Sequence, residues 1–501
     1  MKKTKFDLNA EIKKIINKFN INDNWNKNVL KEIEKYKNKE TNKNINKRKD
    51  LRKLDFITID GDDAKDFDDA VYCEKIDKNW KLFVAIADVA HYVKNNSHID
   101  KEARKRGTSV YFPNYVVPML PEILSNNLCS LKPNEDKYTI TAEIIIDHEG
   151  KIKSYNFYNS VIRSSARLTY NQIDEFIKNK NIIKNKNIIK NINNLFSLYK
   201  ALYKSRNKRN AVNFDSHEFS FVIGNDNEIK GISNNVRLES QKIIEECMIA
   251  ANVASSLFIK KNKSFSIYRV HDEPAIDKIE EASIALNNLG YSLSKSKIPT
   301  TKEINRILEL SKEKLDYHLV VTIILRSMSR AEYTPKNIGH FGLSLKSYNH
   351  FTSPIRRYPD LIVHRIIKNI IEKREHNYDF NFLDKIGSIS SENERNAESA
   401  ERELHAILLC NYAKKFIGKT FNASVNSIVN FGMFVTAKEE PIQGLIHISS
   451  LGNEYFIYNE KKNILIGEKS RKVFKVGDNI KVKLHSAYPS EKKIDFILSK
   501  K

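Results

Sequence analysis

The chain has 501 residues, enough for two or three domains at roughly 150 residues each, and its 41% apolar and 10% aromatic content exclude a disordered tail protein. Its 85 basic residues exceed the 62 acidic ones by 23, which favours a polyanionic partner because lysines that neutralise phosphates release counterions, although the Lys/Asn/Ile bias of stretches such as "NKNIIKNKNIIKNI" reflects composition as readily as a ligand. Cys73, Cys129, Cys247 and Cys410 form no CxxC pair, which excludes a disulfide framework and a cysteine zinc site and suits a reducing cytoplasm.

At the N-terminus "MKKTK" is basic but no apolar run follows it, so no secretory signal is expected. No stretch approaches the ~20 apolar residues that cross a bilayer, and the expectation is a soluble, cytoplasmic, monomeric protein. Residues 1–54 hold 17 Lys/Arg against 7 Asp/Glu. Within them "LNAEIKKIINKF" and "NVLKEIEKY" read as short amphipathic helices, and "NKETNKNINKRKD" as a solvated linker. From Leu54 the texture changes: "LDFITID", "DDAVYCEKI" and "KLFVAIADV" are β-branched and aromatic runs bounded by polar turns, as strands are. Residues 54–165 are therefore expected to be mostly sheet and 238–372 mostly helix, with Pro359 suited to the first turn of "RYPDLIVHRIIKNIIEK". The low-complexity stretch 178–194 reads as a surface helix or loop extension. A further helical run over about 385–416 leads to Gly418, and five short strand-like segments follow, which suggest a small closed barrel. The fold class is α+β, in three parts: a basic helical segment 1–53, a domain 54–416 of mixed sheet and packed helices, and a small all-β barrel domain 417–501.

The sharpest chemical signal is "TIDGDDAKDFDDAVY", six carboxylates within residues 60–69 directly after an apolar strand. Crowded carboxylates repel and raise one another's pKa, so they either face water or bind a cation. A solvated acidic loop is the plainer alternative, weakened by the apolar strands on both sides. The donors are all oxygen, with no His or Cys nearby, which selects Mg²⁺ or Mn²⁺ over zinc. EF-hand calcium spacing fails, since the twelfth position from Asp60 is Val71 where a Glu is needed. Magnesium held by carboxylates and substrate phosphates is apparatus for phosphodiester hydrolysis.

That segment resembles the signature of the RNB family of exoribonucleases, nearest its ribonuclease R branch. The resemblance continues through "GTSVYFPNYVVPMLPEILSNNLCSL", "SSARLTY", "IIEECMIAANVA", "YRVHDEP" and "GHFGLSLKSYNHFTSPIRRYPDLIVHR", in the family's order, over residues 51 to about 410. It implies a processive 3′→5′ exoribonuclease that hydrolyses single-stranded RNA, or RNA with a 3′ overhang, with Mg²⁺ and releases nucleoside 5′-monophosphates in RNA turnover and quality control. A catalytically degenerate RNA-binding protein and an endoribonuclease are the alternatives.

By the same resemblance Asp60, Asp66, Asp68 and Asp69 coordinate the metal, with Asp68 the most critical for catalysis, and Asp62 and Asp63 are loop polarity. Arg356 matches the arginine that contacts the scissile phosphate, where a guanidinium forks onto phosphate oxygens; Arg357 would contact RNA or be surface charge. Tyr111 matches the tyrosine that stacks near the 3′ end and sets the final product length, and Phe214 the aromatic at the other end of the stacked nucleotides. Tyr170, Glu245 and Glu401 match positions beside the 3′ nucleotides, with Glu245 an acceptor for a ribose 2′-OH. His271, His340, His350 and His364 lack metal-ligand spacing and read as structural. The C-terminal segment resembles the S1-type OB-fold, in which Phe421, Phe431, Phe434 and His447 fall at stacking positions, with barrel packing as the alternative for each. The family's ribonuclease R ordinarily carries cold-shock domains ahead of the RNB block. Only about fifty basic, helical residues precede it here, so a reduced form is expected.

Overall fold

The computed structural model describes residues 6–37, 46–179, 182–214, 218–224, 227–235, 237–293, 298–314, 316–375, 378–460 and 463–499. Residues 38–45 of the expected linker lie outside these.

A seven-stranded mixed sheet forms the centre. Its strands run in the spatial order Lys49–Asp50, Ile152–Arg163, Asp136–Ile146, Asn79–Ala87, Asp69–Ile76, Ile57–Asp60 and Ala166–Thr169. The pairings are antiparallel except at the two edges, where Lys49–Asp50 and Ala166–Thr169 add in parallel. The middle strand, Asn79–Ala87, is buried over its last six residues without alternation, because helices cover the sheet. Glu239–Lys261 lies across three of the central strands, Tyr358–Ile371 against Ile152–Arg163, and Lys186–Lys208 against Asp69–Ile76.

That last helix corrects the expectation of a surface extension at 178–194, of which residues 180–181 lie outside the described residues. Asn185 caps it, and Ile188, Ile192, Leu195 and Leu198 point into the core at helical spacing. The buried Asn191 amide takes the N–H of Cys73 at 2.9 Å and donates to the carbonyls of Asp55 and Val71 at 3.0 and 3.3 Å. Compositional bias concealed an ordinary amphipathic helix whose asparagines bond sheet backbone.

Helix Tyr358–Ile371 begins with Pro359 in its first turn, as expected, and is buried on every side from Tyr358 to Ile367. Its polar residues are therefore tied within the core. Asp360 takes the Ser353 amide at 2.8 Å, the His364 Nε2 lies 2.6 Å from the Phe351 carbonyl, and Arg365 pairs with Asp100 at 2.7 Å. Helices Ile276–Asn288, Thr301–Ser311 and Tyr317–Ser327 form a separate lobe with its own core. All four cysteines are buried and free, and no described helix is long and apolar enough to cross a membrane.

The 34-residue helix Phe380–Ala413 runs from the catalytic region to the C-terminal barrel. Gly387 lets it press onto strand Ala331–Thr334, since a Cβ there would fall 2.3 Å from the Tyr333 carbonyl oxygen. The five expected strands close a barrel in the order Thr420–Val429, Gly432–Ala437, Gln443–His447, Lys493–Leu498 and Asn479–Tyr488. A three-stranded sheet over Phe456–Asn459, Ile464–Gly467 and Val473–Lys475 is inserted between them, which the sequence reading did not foresee. The segment ahead of the sheet is no free basic arm. Leu8, Ile12, Ile15 and Ile16 of helix Leu8–Lys18 join one apolar cluster with Val110, Phe112 and Val117, with Leu404 and Leu408 of the long helix, and with the barrel interior.

Candidate active site

Strand Ile57–Asp60 ends at Asp60, the loop turns, and strand Asp69–Ile76 begins at Asp69, so the aspartates ring one end of the sheet. The loop between is clamped: the Ser130 hydroxyl donates to the Lys65 carbonyl at 2.7 Å and takes the Phe67 amide at 3.1 Å. Arg167, within "SSARLTY", donates to the carbonyls of Gly61 and Asp62 at 2.8 and 2.7 Å. The motif thus holds an arginine that shapes the loop, a role set by tertiary contact rather than by spacing.

Asp68 is 5% exposed and takes the Ile355 amide at 2.8 Å, which ties the loop to the segment that carries Arg356. Burial pushes its carboxyl well above the ordinary range, and Arg356 only partly opposes this. Burial also raises Asp69, with Asp60 adding repulsion, and raises Asp60, with Asp66 adding repulsion. Arg356 opposes the rise at all three. Its Nε is 3.9 Å from Asp68 Oδ2, its Nη2 donates to Ser353 at 3.2 Å, and its side chain is 45% exposed, which leaves guanidinium edge for an incoming anion.

The Asp60 Oδ2 is buried and has no hydrogen-bond partner among the described residues. Such an orphan acceptor in a pool of carboxylates short of positive charge fits a hard divalent cation. Among the described residues no three His, Cys, Asp or Glu side chains converge tightly enough to enclose an ion. Any ion there would be held by fewer protein ligands, with waters and substrate phosphate oxygens completing its shell, which Mg²⁺ tolerates.

Around this pool stand the expected aromatic and acidic partners. The Tyr111 hydroxyl donates to Asp66 Oδ2 at 3.1 Å, while its backbone amide donates to Glu401 Oε1 at 2.8 Å. Glu401, on the long helix, thus acts through Tyr111, and burial raises its carboxyl. Tyr111 is 40% exposed, on a hairpin of Val110–Phe112 and Tyr115–Val117. Tyr170 starts helix Tyr170–Lys178, and its phenol is raised by burial and then by Asp69 and Asp60. Asp62 is exposed and takes the Asn171 amide at 2.9 Å, which agrees with loop polarity.

Two expectations are corrected, at Arg357 and Phe421. Arg357 caps helix Tyr358–Ile371 and donates to Asp360 at 2.8 Å, so it is committed to the fold rather than to RNA. Glu245 contacts Arg237 and lies 3.4 Å from Arg206, which engages its carboxylate in ion pairs. Phe214, half-buried, packs against the core of the separate helical lobe. Phe421 is 2% exposed and packs edge-on against Phe416 and Phe496, because alternation along its strand turns Phe421, Ala423 and Val425 inward.

The other barrel residues do share a surface. Exposed Phe431 meets half-buried Phe434 edge-to-face at 6.4 Å, and exposed His447 sits opposite Gly432 across the ladder. Gly432 permits this approach, since a Cβ there would lie 2.2 Å from the Ile446 carbonyl oxygen.

Comparison with known proteins agrees with this arrangement. The RNB domain matches residues 48–373, and the S1 RNA binding domain matches residues 414–498. Ribonuclease R of Buchnera aphidicola subsp. Schizaphis graminum is 42% identical over 462 residues, which cover 90% of this chain and 64% of the relative. The chain thus spans under two thirds of that protein's length. Among solved structures, Mycoplasma genitalium RNase R in complex with ribose methylated single-stranded RNA superposes with a TM-score of 0.92 at 32% identity, over 98% of this chain and 78% of that one. The same protein in complex with double-stranded RNA gives 0.88 at 30% identity, over 98% and 83%. The clamped aspartate loop, Arg356 beside it and the barrel behind it are thus the parts of a known architecture, and the chain belongs to the RNB family, with an S1 RNA binding domain after its RNB domain.

Proposed function

We propose that the chain is a 3′→5′ exoribonuclease that hydrolyses RNA phosphodiester bonds processively with Mg²⁺, Mn²⁺ serving in its place, and releases nucleoside 5′-monophosphates. The observation that supports this reading is the pool of Asp60, Asp66, Asp68 and Asp69, in which Asp68 is buried and the others half-buried, and which holds more carboxylates than Arg167 and Arg356 can neutralise. A bound divalent cation would supply Lewis acidity at the scissile phosphate and a more acidic water. Asp60, with its orphan oxygen, and Asp69 would hold that ion. Asp68, fixed by the Ile355 amide, would orient the attacking water. Arg356 would meet the phosphate oxygens, where developing charge is stabilised without reorganisation. Tyr111, held at its hydroxyl by Asp66 and at its amide by Glu401, would offer a ring face to the bases near the 3′ end, and Tyr170 would flank the same nucleotides. In the barrel, Phe431, Phe434 and His447 would guide the upstream single strand, since aromatic stacking is tolerant of sequence. The relatives' complexes with single-stranded and double-stranded RNA support RNA as substrate, here single-stranded or with a 3′ overhang.

The test is hydrolysis of 3′-labelled, 5′-labelled and circular RNA with Mg²⁺ or with EDTA. Mononucleotides from the 3′ label at once, a shortening ladder from the 5′ label, an intact circle and no reaction in EDTA are expected. A cleaved circle would establish endonucleolytic action instead, and binding without cleavage a degenerate RNA-binding module.

A further inference from the structure

At the other end of helix Tyr358–Ile371 lies a second polar concavity, a cavity of about 510 Å³. Lys368, on its wall, is ten residues beyond Tyr358, about 15 Å along the helix axis, whereas Arg356 precedes the N-terminus. Three cations stand at the rim, Lys47, Lys94 and Arg374, and three at the floor, Arg48, Arg365 and Lys368. Lys94 is already engaged by another group, and four carboxylates answer the remaining five. Asp88 is shared by Arg48 at 2.7 Å and Lys368 at 2.7 Å, Asp100 pairs with Arg365 at 2.7 Å, and Glu372 pairs with Arg374 at 2.9 Å. Glu375 has no ion pair among the described residues. Positive charge is left in excess in a partly desolvated site, where Coulomb attraction is several-fold stronger than in water.

Two polar atoms in the same walls are orphans. Arg365, 7% exposed, has its Nη1 buried with no hydrogen-bond partner, and Asn159 Oδ1 is likewise buried and unpartnered among the described residues. Native structures rarely leave such groups unsatisfied. One orphan asks for an acceptor and the other for a donor. His91 beside them is pushed down to about 4 by burial, so it is neutral and contributes hydrogen bonding rather than charge.

We infer that this cavity, with its six cations and the unpartnered Arg365 Nη1 and Asn159 Oδ1, is a binding site for a nucleoside polyphosphate. The excess cations match a di- or triphosphate better than a single charge, a guanidinium edge matches phosphate oxygens, and Asn159 offers an acceptor to a ribose hydroxyl or base N–H. The volume lies within the range of small-ligand sites. This inference does not depend on the catalytic reading above.

The test uses the full chain in EDTA, so that no metal-bound phosphate forms at the aspartates, with ADP, inorganic pyrophosphate and a short single-stranded RNA as probes in isothermal titration. Saturable binding of one ADP per chain, at a Kd below about 1 mM and tighter than pyrophosphate, is expected. The double variant Lys47→Ala/Arg374→Ala removes exposed rim charge without touching the core and should weaken ADP at least tenfold while its melting temperature and RNA hydrolysis stay as in the wild type. Asp68→Asn should leave ADP binding unchanged. No saturable binding, binding indifferent to the double variant, or binding lost in Asp68→Asn would overturn the proposal. So would displacement of ADP by the RNA that the double variant abolishes, since the cavity would then serve the strand.

Discussion

Asp68 and Asp88 hang from neighbouring backbone, since the Ala87 amide donates to the Asp68 carbonyl at 2.9 Å, and both are buried. Their environments are opposites. Asp68 has one amide donor and a distant guanidinium, and burial drives its carboxyl up. Burial would raise Asp88 too, but Lys368 and Arg48 override it and hold its carboxyl well below the ordinary range. The difference is the supply of counter-charge from within the chain. Asp88 receives two cations and staples the segment at Arg48 and helix Tyr358–Ile371 to the sheet, whereas the Asp68 pool is left short of positive charge. A buried carboxylate is a fold element where the protein completes its charge and a reactive one where it does not.

The largest effect expected is at the incomplete site. Asp68→Asn should lower Mg²⁺-dependent hydrolysis by at least about 10²–10³-fold, the range seen when one preorganised electrostatic contact is removed, while RNA binding and melting temperature change little. A single-turnover assay beside a binding titration checks this, and equal loss of both would place Asp68 with Asp88 as a structural group. Asp88→Asn should do the reverse. Leaving Arg48 and Lys368 without their carboxylate should cost about 3–5 kcal/mol of stability, read by denaturant unfolding.

The pH dependences should also diverge. Asp88, depressed in the fold, contributes stability that is complete above its unfolded pKa near 3.9 and lost as pH falls below it. The Asp60/Asp68/Asp69 pool, raised in the fold, is favourable at low pH and becomes a liability as pH climbs through the same ordinary value toward the raised ones. Added Mg²⁺ should therefore raise the melting temperature at pH 8 by a few degrees, as a ligand specific to the folded state does, and by less at pH 5. An equal shift at both values, or one retained in Asp68→Asn, would separate the cation from this pool. The smallest effect is at Tyr111, where base stacking is worth about 1–3 kcal/mol. Tyr111→Ala should leave a longer limit oligonucleotide on a sequencing gel with cleavage intact, and an unchanged ladder would remove Tyr111 from that role.

Much of this site was legible because it is local. Six carboxylates in ten residues after an apolar strand announce a charge problem, and Asp60 and Asp69 do cap adjoining strands. The five barrel strands were legible by alternation. What escaped needs tertiary partners. Arg167 looks like any surface arginine until it is seen bonding two loop carbonyls, and Asp88 meets its cations 40 residues before it and 280 after it in sequence. Phe421 and Phe431 are both aromatic residues of one domain, but the first lies in a strand whose alternation turns it to the barrel core and the second in the exposed turn that follows that strand. The helix Lys186–Lys208 was hidden by its own composition, since repeated Asn and Ile look like low complexity whichever way they face.

The long helix Phe380–Ala413 fixes a length. Glu401 holds the amide of Tyr111, and twelve residues later Ala413 delivers the chain to the barrel, an interval of about 18 Å at 1.5 Å per residue. Gly387 seats the same rod on the catalytic side, and the apolar cluster that includes Leu404 and Leu408 seats it on the other. Barrel and aspartate pool are thus joined by a ruler rather than a hinge. For the proposed RNA substrate, the shortest unpaired overhang able to reach both is a constant of this rod, and each residue inserted between Glu401 and Ala413 would change it by 1.5 Å while turning the barrel by about 100°.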